Sequence, residues 1–157
     1  MTEHRLLTVR QPWATPIVDG KKDVENRGAR FGLGYRGPLW IHAGAAWDDD
    51  GLASELVAGH YPRGATSGYR SDGFTLGAVI GRVHVLGAHR FEPGCCTSPW
   101  AVMEPGTTHL ELGQARKVRG PVVAGALGIW HARRVHGLEI TLRRLERDLD
   151  RQEVDPC

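Results

Sequence analysis

Short apolar segments with a two-residue period, interrupted by glycines, recur along this chain of 157 residues. The clearest runs from Leu76 to Leu86, and its alternation continues past Gly81, where a missing side chain tolerates a bend or a bulge. Successive side chains of a strand point to opposite faces, so this pattern predicts half-buried strands. Further segments of this kind are 5–10, 22–27, 39–42, 119–124 and 126–132. Short strands bounded by glycine favour a barrel over an open sheet.

Three segments predict helices. Pro12–Asp19 begins at a proline and is followed by Gly20, and Asp48–Ala58 opens with three aspartates near the positive end of a helix dipole. Leu138–Arg151 places leucines at i, i+4, i+7 and i+11, which predicts one apolar face. Residues 59–73 hold four glycines and a proline, and we expect an exposed loop there. The fold class is therefore mixed α/β (α+β), with one domain over residues 1–157 and a C-terminal helical extension over roughly 137–152.

Composition excludes several classes of protein. No apolar run approaches the roughly 18 residues that cross a bilayer, so we expect no membrane contact. The N-terminus reaches Glu3 and Arg5 before any apolar stretch and lacks a secretory segment, which indicates a cytoplasmic location. Three cysteines without such a segment do not indicate a disulfide framework. The net charge of +2 is too small to indicate nucleic-acid binding by itself.

Lysine is rare in this chain, with three lysines against seventeen arginines, and two of the three are Lys21 and Lys22. Lysine can lose its proton when partly buried, whereas arginine cannot, so Lys22 is a candidate base or nucleophile. In a strand over 22–27, Glu25 and Arg27 share one face. The alternative is that the lysines solvate a turn while Glu25 and Arg27 form a structural ion pair.

Two aromatic clusters could bind a base. Arg10 and Gln11 supply forked donors beside Trp13, whose ring offers a stacking face or, alternatively, belongs to the core. In the segment 35–42, Trp40 and His42 share one strand face, so His42 either lines a cleft or is a hydrogen-bonded structural group.

A metal site is a further possibility that the spacing disfavours. His89, Cys95, Cys96 and His109 invite a zinc interpretation, with His109 expected in a loop after the long strand. Adjacent cysteines lack the two-to-four-residue separation of common zinc motifs, so the sequence predicts no metal and no cofactor. Phosphate-loop, dinucleotide and serine-hydrolase motifs are also missing from the sequence.

Taken together and in order, five motifs resemble the ASCH domain of the PUA-like superfamily over roughly residues 5–131. They are LTVRQPW at 7–13, the pattern G-x-K-x-x-E-x-R at 20–27, YRGPLWIH at 35–42, SPW at 98–100 and GALGIW at 125–130. The resemblance implies a small mixed β-barrel with about three helices around a cleft, and RNA-related or coactivator-type binding. It places Lys22, Glu25 and Arg27 at that cleft, with Gln11, Trp13 and Ser98 nearby.

The resemblance leaves two functions open. The first is binding of RNA, a nucleotide or a nucleoside, without chemistry, in a basic cleft edged by aromatic rings. The second is hydrolysis by Lys22 and Glu25 of a modified nucleoside or of the RNA backbone, because some relatives are amidohydrolases that deacetylate N4-acetylcytidine. That branch has a threonine, the expected nucleophile, where this chain has Glu25. The sequence leaves protein partners unknown. The candidate binding residues are Arg10, Gln11, Trp13, Lys22, Arg27, Arg36, His42, Ser98 and Trp100.

Overall fold

The computed structural model describes residues 3–61 and 74–154. Six strands and three α-helices make up this part of the chain. In chain order they are β1 (Arg5–Gln11), α1 (Ala14–Val18), β2 (Val24–Gly28), β3 (Gly37–Trp47), α2 (Glu55–His60), β4 (Ala78–Arg90), β5 (Thr107–Lys117), β6 (Ile129–His131) and α3 (Leu138–Val154). The strands form one mixed sheet in the order β2-β5-β4-β3-β1-β6, which curls into a half-barrel. Only the β1–β3 pair is parallel. The predicted fold class is confirmed.

Apolar side chains cover both faces of the central strands. In β3, Leu39, Ile41 and Ala43 face a core that includes α1, whereas Trp40 packs on the other side with α3. Strand β1 divides in the same way, with Leu7 in the first core and Leu6 in the second. Both faces of β3 are therefore buried, including the face that Trp40 shares with His42.

A bulge bends β4 where the sequence predicts one. Ile41 pairs with Gly81 and His42 pairs with Val79, so Ile80 is the extra residue. Gly81 is needed there because a Cβ would lie 2.4 Å from a Val18 methyl carbon. The missing side chain thus lets α1 pack directly on the sheet.

Helix α3 covers the outer face of the sheet. Leu138, Leu142 and Leu149 are buried in the second core, as the leucine spacing predicts. The buried His4 fixes the helix further: its Nδ1 lies 2.6 Å from a Glu139 oxygen and its Nε2 lies 3.0 Å from a Glu146 oxygen. Among the described residues, no helix is long and apolar enough to cross a membrane.

Several predicted elements were wrong. Segment 119–124 is not a strand, and Val122 makes only an isolated bridge to Ala78. The helix expected over 48–58 is a 3₁₀ turn at Asp49–Ala53 followed by α2, because Ser54 is extended and caps α2 through Val57 N–H. Strand β5 lies where a loop was expected, so His109 is on a strand. Most of the expected loop 59–73 lies outside the described residues.

Candidate functional site

A cavity of about 840 Å³ opens where the end of β1, the edge strand β2 and two loops meet. Its volume falls in the range of roughly 300–1,000 Å³ that is typical of ligand sites. The loops contribute residues 99–102 and 125–128. The charged residues in its wall are Arg10, Lys22, Arg27, Glu25 and Asp48, three positive and two negative, so the formal charge of the wall is +1.

Glu25 joins the two cations of β2 and its preceding turn into one network. Its Oε2 accepts from Lys22 Nζ at 2.7 Å, and its Oε1 lies 3.2 Å from Arg27 Nη2. Lys22 also donates to the Val24 carbonyl. Lys22 is 3 % exposed and Glu25 is 7 % exposed, so the pair is buried. Two acceptors face the Lys22 amino group, and one of them is a carboxylate, so Lys22 and Glu25 form a buried, hydrogen-bonded ion pair.

Arg27 has further capacity as a donor. Its Nη2 donates to the Thr8 carbonyl at 2.8 Å, while its Nε is buried without a hydrogen-bond partner among the described residues. A buried unpaired donor is unfavourable and would gain from an acceptor oxygen. The exposed part of the Arg27 guanidinium lines the cavity, so it can bind a ligand while Arg27 stays paired with Glu25.

The corner between β1 and α1 supplies an arginine and an indole. Arg10 is exposed, and the structure gives it no ion pair within the described ranges. Trp13 is held in place by its Nε1, which donates to Asp48 Oδ2 at 3.0 Å. Arg10 is therefore the lining cation with the most freedom to meet an anionic group.

Strand β2 holds the loop that carries Trp100. The Asn26 side chain donates to the Trp100 carbonyl at 2.8 Å and accepts from Val102 N–H at 2.9 Å. Ser98 donates to Asp23 and accepts from Trp100 N–H. The Trp100 ring stacks on His60, with centroids 5.9 Å apart. One face of this indole is therefore occupied by the protein itself.

The opposite loop, 125–128, is fixed by the Thr8 hydroxyl. Thr8 Oγ1 accepts from Ala126 N–H at 3.3 Å and lies 3.2 Å from His42 Nδ1. Gly125 must be glycine for this contact, since a Cβ there would lie 2.6 Å from Thr8 Oγ1 and 2.7 Å from the His42 ring. Burial lowers the pKa of His42, and the carbonyls of Val123 and Gly77 only partly offset that effect.

The structure brings together six of the residues selected from the sequence and leaves four elsewhere. Gln11 is fully buried and bonds to Thr15 and the Thr75 carbonyl. His42 is buried behind the 125–128 loop, where its Nε2 donates to the Val123 carbonyl. Arg36 donates to carbonyls of its own turn, and Ser98 supports the Trp100 loop. The six residues that line the cavity are Arg10, Trp13, Lys22, Glu25, Arg27 and Trp100.

Three lining features were missed by sequence reasoning. Asn26 points away from its neighbours Glu25 and Arg27 by strand alternation, yet it lines the cavity because β2 is an edge strand. Thr8 lies inside the LTVRQPW motif, but no local pattern distinguishes a hydroxyl that joins distant segments. The glycines at 125 and 128 were the available signal for the second loop, since paired glycines permit close backbone approach.

Comparison with known proteins gives the following similarities. The family model described as the ASCH domain matches residues 7–103. The crystal structure of the ASCH protein of Zymomonas mobilis superposes with a TM-score of 0.53 at 15 % identity, covering 91 % of this chain and 95 % of that chain. A single-substitution variant of it gives a TM-score of 0.53 at 14 % identity, covering 93 % and 98 %. At such identity the similarity concerns the fold. No curated protein matches this chain.

Proposed function

Because this chain belongs to the ASCH domain family, a PUA-like fold family consistent with RNA binding, we propose that its cavity binds a nucleotide of single-stranded RNA. The observation that carries the proposal is the meeting of Arg10 and Arg27 with the indoles of Trp13 and Trp100 in one cavity of about 840 Å³. Cations suit phosphate, and ring faces suit bases. A cytoplasmic location, where RNA is abundant, fits the proposal and stays a prediction.

The two arginines have different parts in this binding. Arg10 is exposed and contacts phosphate, because a guanidinium matches two phosphate oxygens at once. Arg27 is half-buried beside Glu25, and the part of its guanidinium that faces the cavity donates to a base or sugar oxygen deeper in it. Trp13 supplies the stacking face, since one face of Trp100 is already covered by His60.

The test is fluorescence anisotropy of a labelled single-stranded RNA at low salt, with unlabelled nucleoside monophosphates as competitors. We expect a Kd in the micromolar range or weaker. Arg10→Gln should weaken binding by about tenfold or more, since one charge-assisted hydrogen bond contributes about 1.5–3 kcal/mol. The matched control is Arg144→Gln, which removes an exposed arginine from α3, outside the cavity. Equal RNA affinities of the two variants would overturn the role of Arg10. If the protein bound nucleoside monophosphates but no RNA, the cavity would be a site for free nucleotides and the RNA proposal would be wrong.

Hydrolysis is the second candidate function, and the buried Lys22–Glu25 pair at the cavity wall is the observation that favours it. Lys22 and Glu25 are already paired with each other and with further partners, so proton transfer to a substrate would first require the pair to separate. We therefore expect little turnover of common RNA substrates.

Mass spectrometry after incubation with short RNAs and modified nucleosides separates binding from hydrolysis. If a product forms, Lys22→Arg should abolish it while RNA affinity stays within about twofold, because arginine keeps the charge but cannot give up its proton. Glu25→Gln should act in the same direction on turnover. Full activity of Lys22→Arg would exclude a proton-transfer role for Lys22.

A further inference from the structure

Four metal-ligating side chains, none of them in the lining of the cavity, converge where β4 ends and β5 begins. His89 on β4 and His109 on β5 are direct partners in the antiparallel ladder. The loop that follows β4 brings Cys95 and Cys96 beside these two histidines. Neither cysteine forms a disulfide. All four candidate ligand atoms lie within 4.8 Å of one another.

The spacing of these atoms matches a tetrahedral metal. Tetrahedral zinc, with bonds of about 2.3 Å to sulfur and about 2.0–2.1 Å to nitrogen, separates its ligand atoms by roughly 3.8 Å for two sulfurs, 3.6 Å for sulfur and nitrogen, and 3.3 Å for two nitrogens. Here the two Sγ atoms are 3.9 Å apart, and each Sγ lies 3.6 Å from His109 Nδ1. His109 Nδ1 and His89 Nε2 are 3.3 Å apart. Four of the six distances between the ligand atoms thus agree with the values expected for a zinc tetrahedron.

Both imidazoles are oriented for metal binding by their outer nitrogens. His109 Nε2 donates to the Val102 carbonyl at 2.9 Å, and His89 Nδ1 lies 2.9 Å from Glu111 Oε1. A carbonyl or carboxylate accepts a hydrogen, so the neutral form of each imidazole would turn a lone pair inward. Two lone pairs facing each other at 3.3 Å are unfavourable unless a cation lies between them. Carboxylate and carbonyl partners of this kind are typical of zinc-bound histidines.

We propose that His89, Cys95, Cys96 and His109 bind one zinc ion. Two thiolates and two imidazoles in a tetrahedron are a ligand set that zinc prefers. The spacing argument from the sequence fails here, because the loop turns at 92–95 and brings both adjacent thiols to one point. All four positions are occupied by protein, so the ion is structural.

The ion also connects to the cavity wall without taking part in ligand binding itself. It ties the 91–106 loop to β4 and β5, and that loop carries Trp100 and Val102. The site is thus expected to be present whether or not the cavity binds RNA, and its test needs no RNA.

The experiment titrates Co²⁺ into the full chain after removal of metal by a chelator, with a non-thiol reductant present. We expect one Co²⁺ per chain, with the visible d–d bands of tetrahedral cobalt and a thiolate-to-cobalt charge-transfer band in the near ultraviolet. Added Zn²⁺ should remove both signals. A titration without these bands, or with only the weak spectrum of six-coordinate cobalt, would overturn the proposal.

Variants assign the ligands. Cys95→Ser/Cys96→Ser should lose the charge-transfer band. Glu111→Gln should weaken Zn²⁺ binding by about 10–100-fold, because it removes the carboxylate that orients a ligating histidine. The matched controls are Cys157→Ser, which changes the third cysteine, outside the described residues, and His136→Ala, which changes an exposed histidine. Circular dichroism checks that each variant folds. His89→Asn is a second ligand variant, chosen because the His89 ring is partly exposed and its replacement should disturb the fold least. Wild-type Zn²⁺ affinity in both the double cysteine variant and His89→Asn would also overturn the proposal.

Discussion

At the scale of single residues, the Thr8 hydroxyl joins three groups beside the cavity. It accepts from Ala126 N–H and from Trp130 Nε1 at 3.1 Å, and it faces His42 Nδ1. Thr8→Val keeps the shape but leaves these groups unpaired, so we expect the free energy of unfolding to fall by about 2 kcal/mol or more. Urea unfolding measures the loss. Thr8→Ser, which keeps the hydroxyl, should lose only about 1 kcal/mol for the methyl group. Equal losses in both variants would contradict this assignment.

His42 gives the fold a dependence on pH. Its pKa is lowered in the folded state by burial, and an exposed histidine titrates near about 6.5. Below that pH the unfolded chain binds more protons than the folded chain, so the free energy of unfolding falls as pH falls, by about 1.4 kcal/mol per unit of pKa difference. Urea unfolding at pH 7 and pH 5 should show a smaller difference for His42→Gln than for the wild type. His136→Gln, at an exposed position, should follow the wild type, and a parallel decline of all three proteins would argue against His42.

Residues with local partners could be predicted from the sequence, whereas those with distant partners could not. Lys22 and Glu25 are three positions apart, and their contact follows from the turn before β2. Gln11 and His42 were chosen as cleft residues for their polar groups. Their hydrogen bonds reach carbonyls 64 and 81 positions away, at Thr75 and Val123. No local pattern in a sequence specifies which distant loop will cover a polar side chain.

At the scale of elements, the apolar pattern predicts α3 clearly and β5 only weakly. Helix α3 repeats leucine at helical spacing over three turns, and this period predicts a helix and not a strand. Strand β5 has only Leu110 and Leu112 as buried apolar residues, beside the buried but polar Thr108 and His109. Burial of polar residues comes from the neighbouring strands and loops, so a single pair of leucines is all the two-residue apolar period that β5 shows. The prediction for segment 119–124 is wrong in the opposite direction. Its valines predict a strand, but in the structure Val122 makes only an isolated bridge to Ala78.

The arginines of α3 lie outside the cavity and test whether charge or geometry selects the binding site. Arg143 lies 3.4 Å from Glu139, and Arg151 lies 2.6 Å from Asp148, so carboxylates offset much of their field. Replacing Arg143, Arg147 and Arg151 by glutamine should therefore change RNA affinity by no more than about twofold in the anisotropy assay. A loss comparable to that of Arg10→Gln would move the binding site onto this helix.

At the scale of the whole molecule, the cavity is assembled from segments that span most of the chain. The end of β1 and strand β2 come from the first thirty residues, whereas the two loops lie near residues 100 and 126. The sheet order brings these parts together, with β2 at one edge and β1 near the other. The half-barrel curvature that makes them neighbours depends on features such as the β4 bulge and the contact of Gly81 with Val18. The strand pattern and Gly81 predict the fold class and the β4 bulge, but not which distant segments the curled sheet makes neighbours.

The charge of the whole molecule sets how binding responds to salt. The net charge is only +2, and Glu25 already neutralises part of the cavity's positive charge. RNA binding should therefore release few counterions, and a plot of log K against log salt should have a slope between about −0.7 and −1.4, which corresponds to one or two phosphates of a single strand. Anisotropy titrations at several salt concentrations measure this slope, and Arg10→Gln should make it shallower by about 0.7. A slope steeper than about −3 would mean that four or more phosphates are bound, and would place RNA on a broad basic face instead of in the cavity.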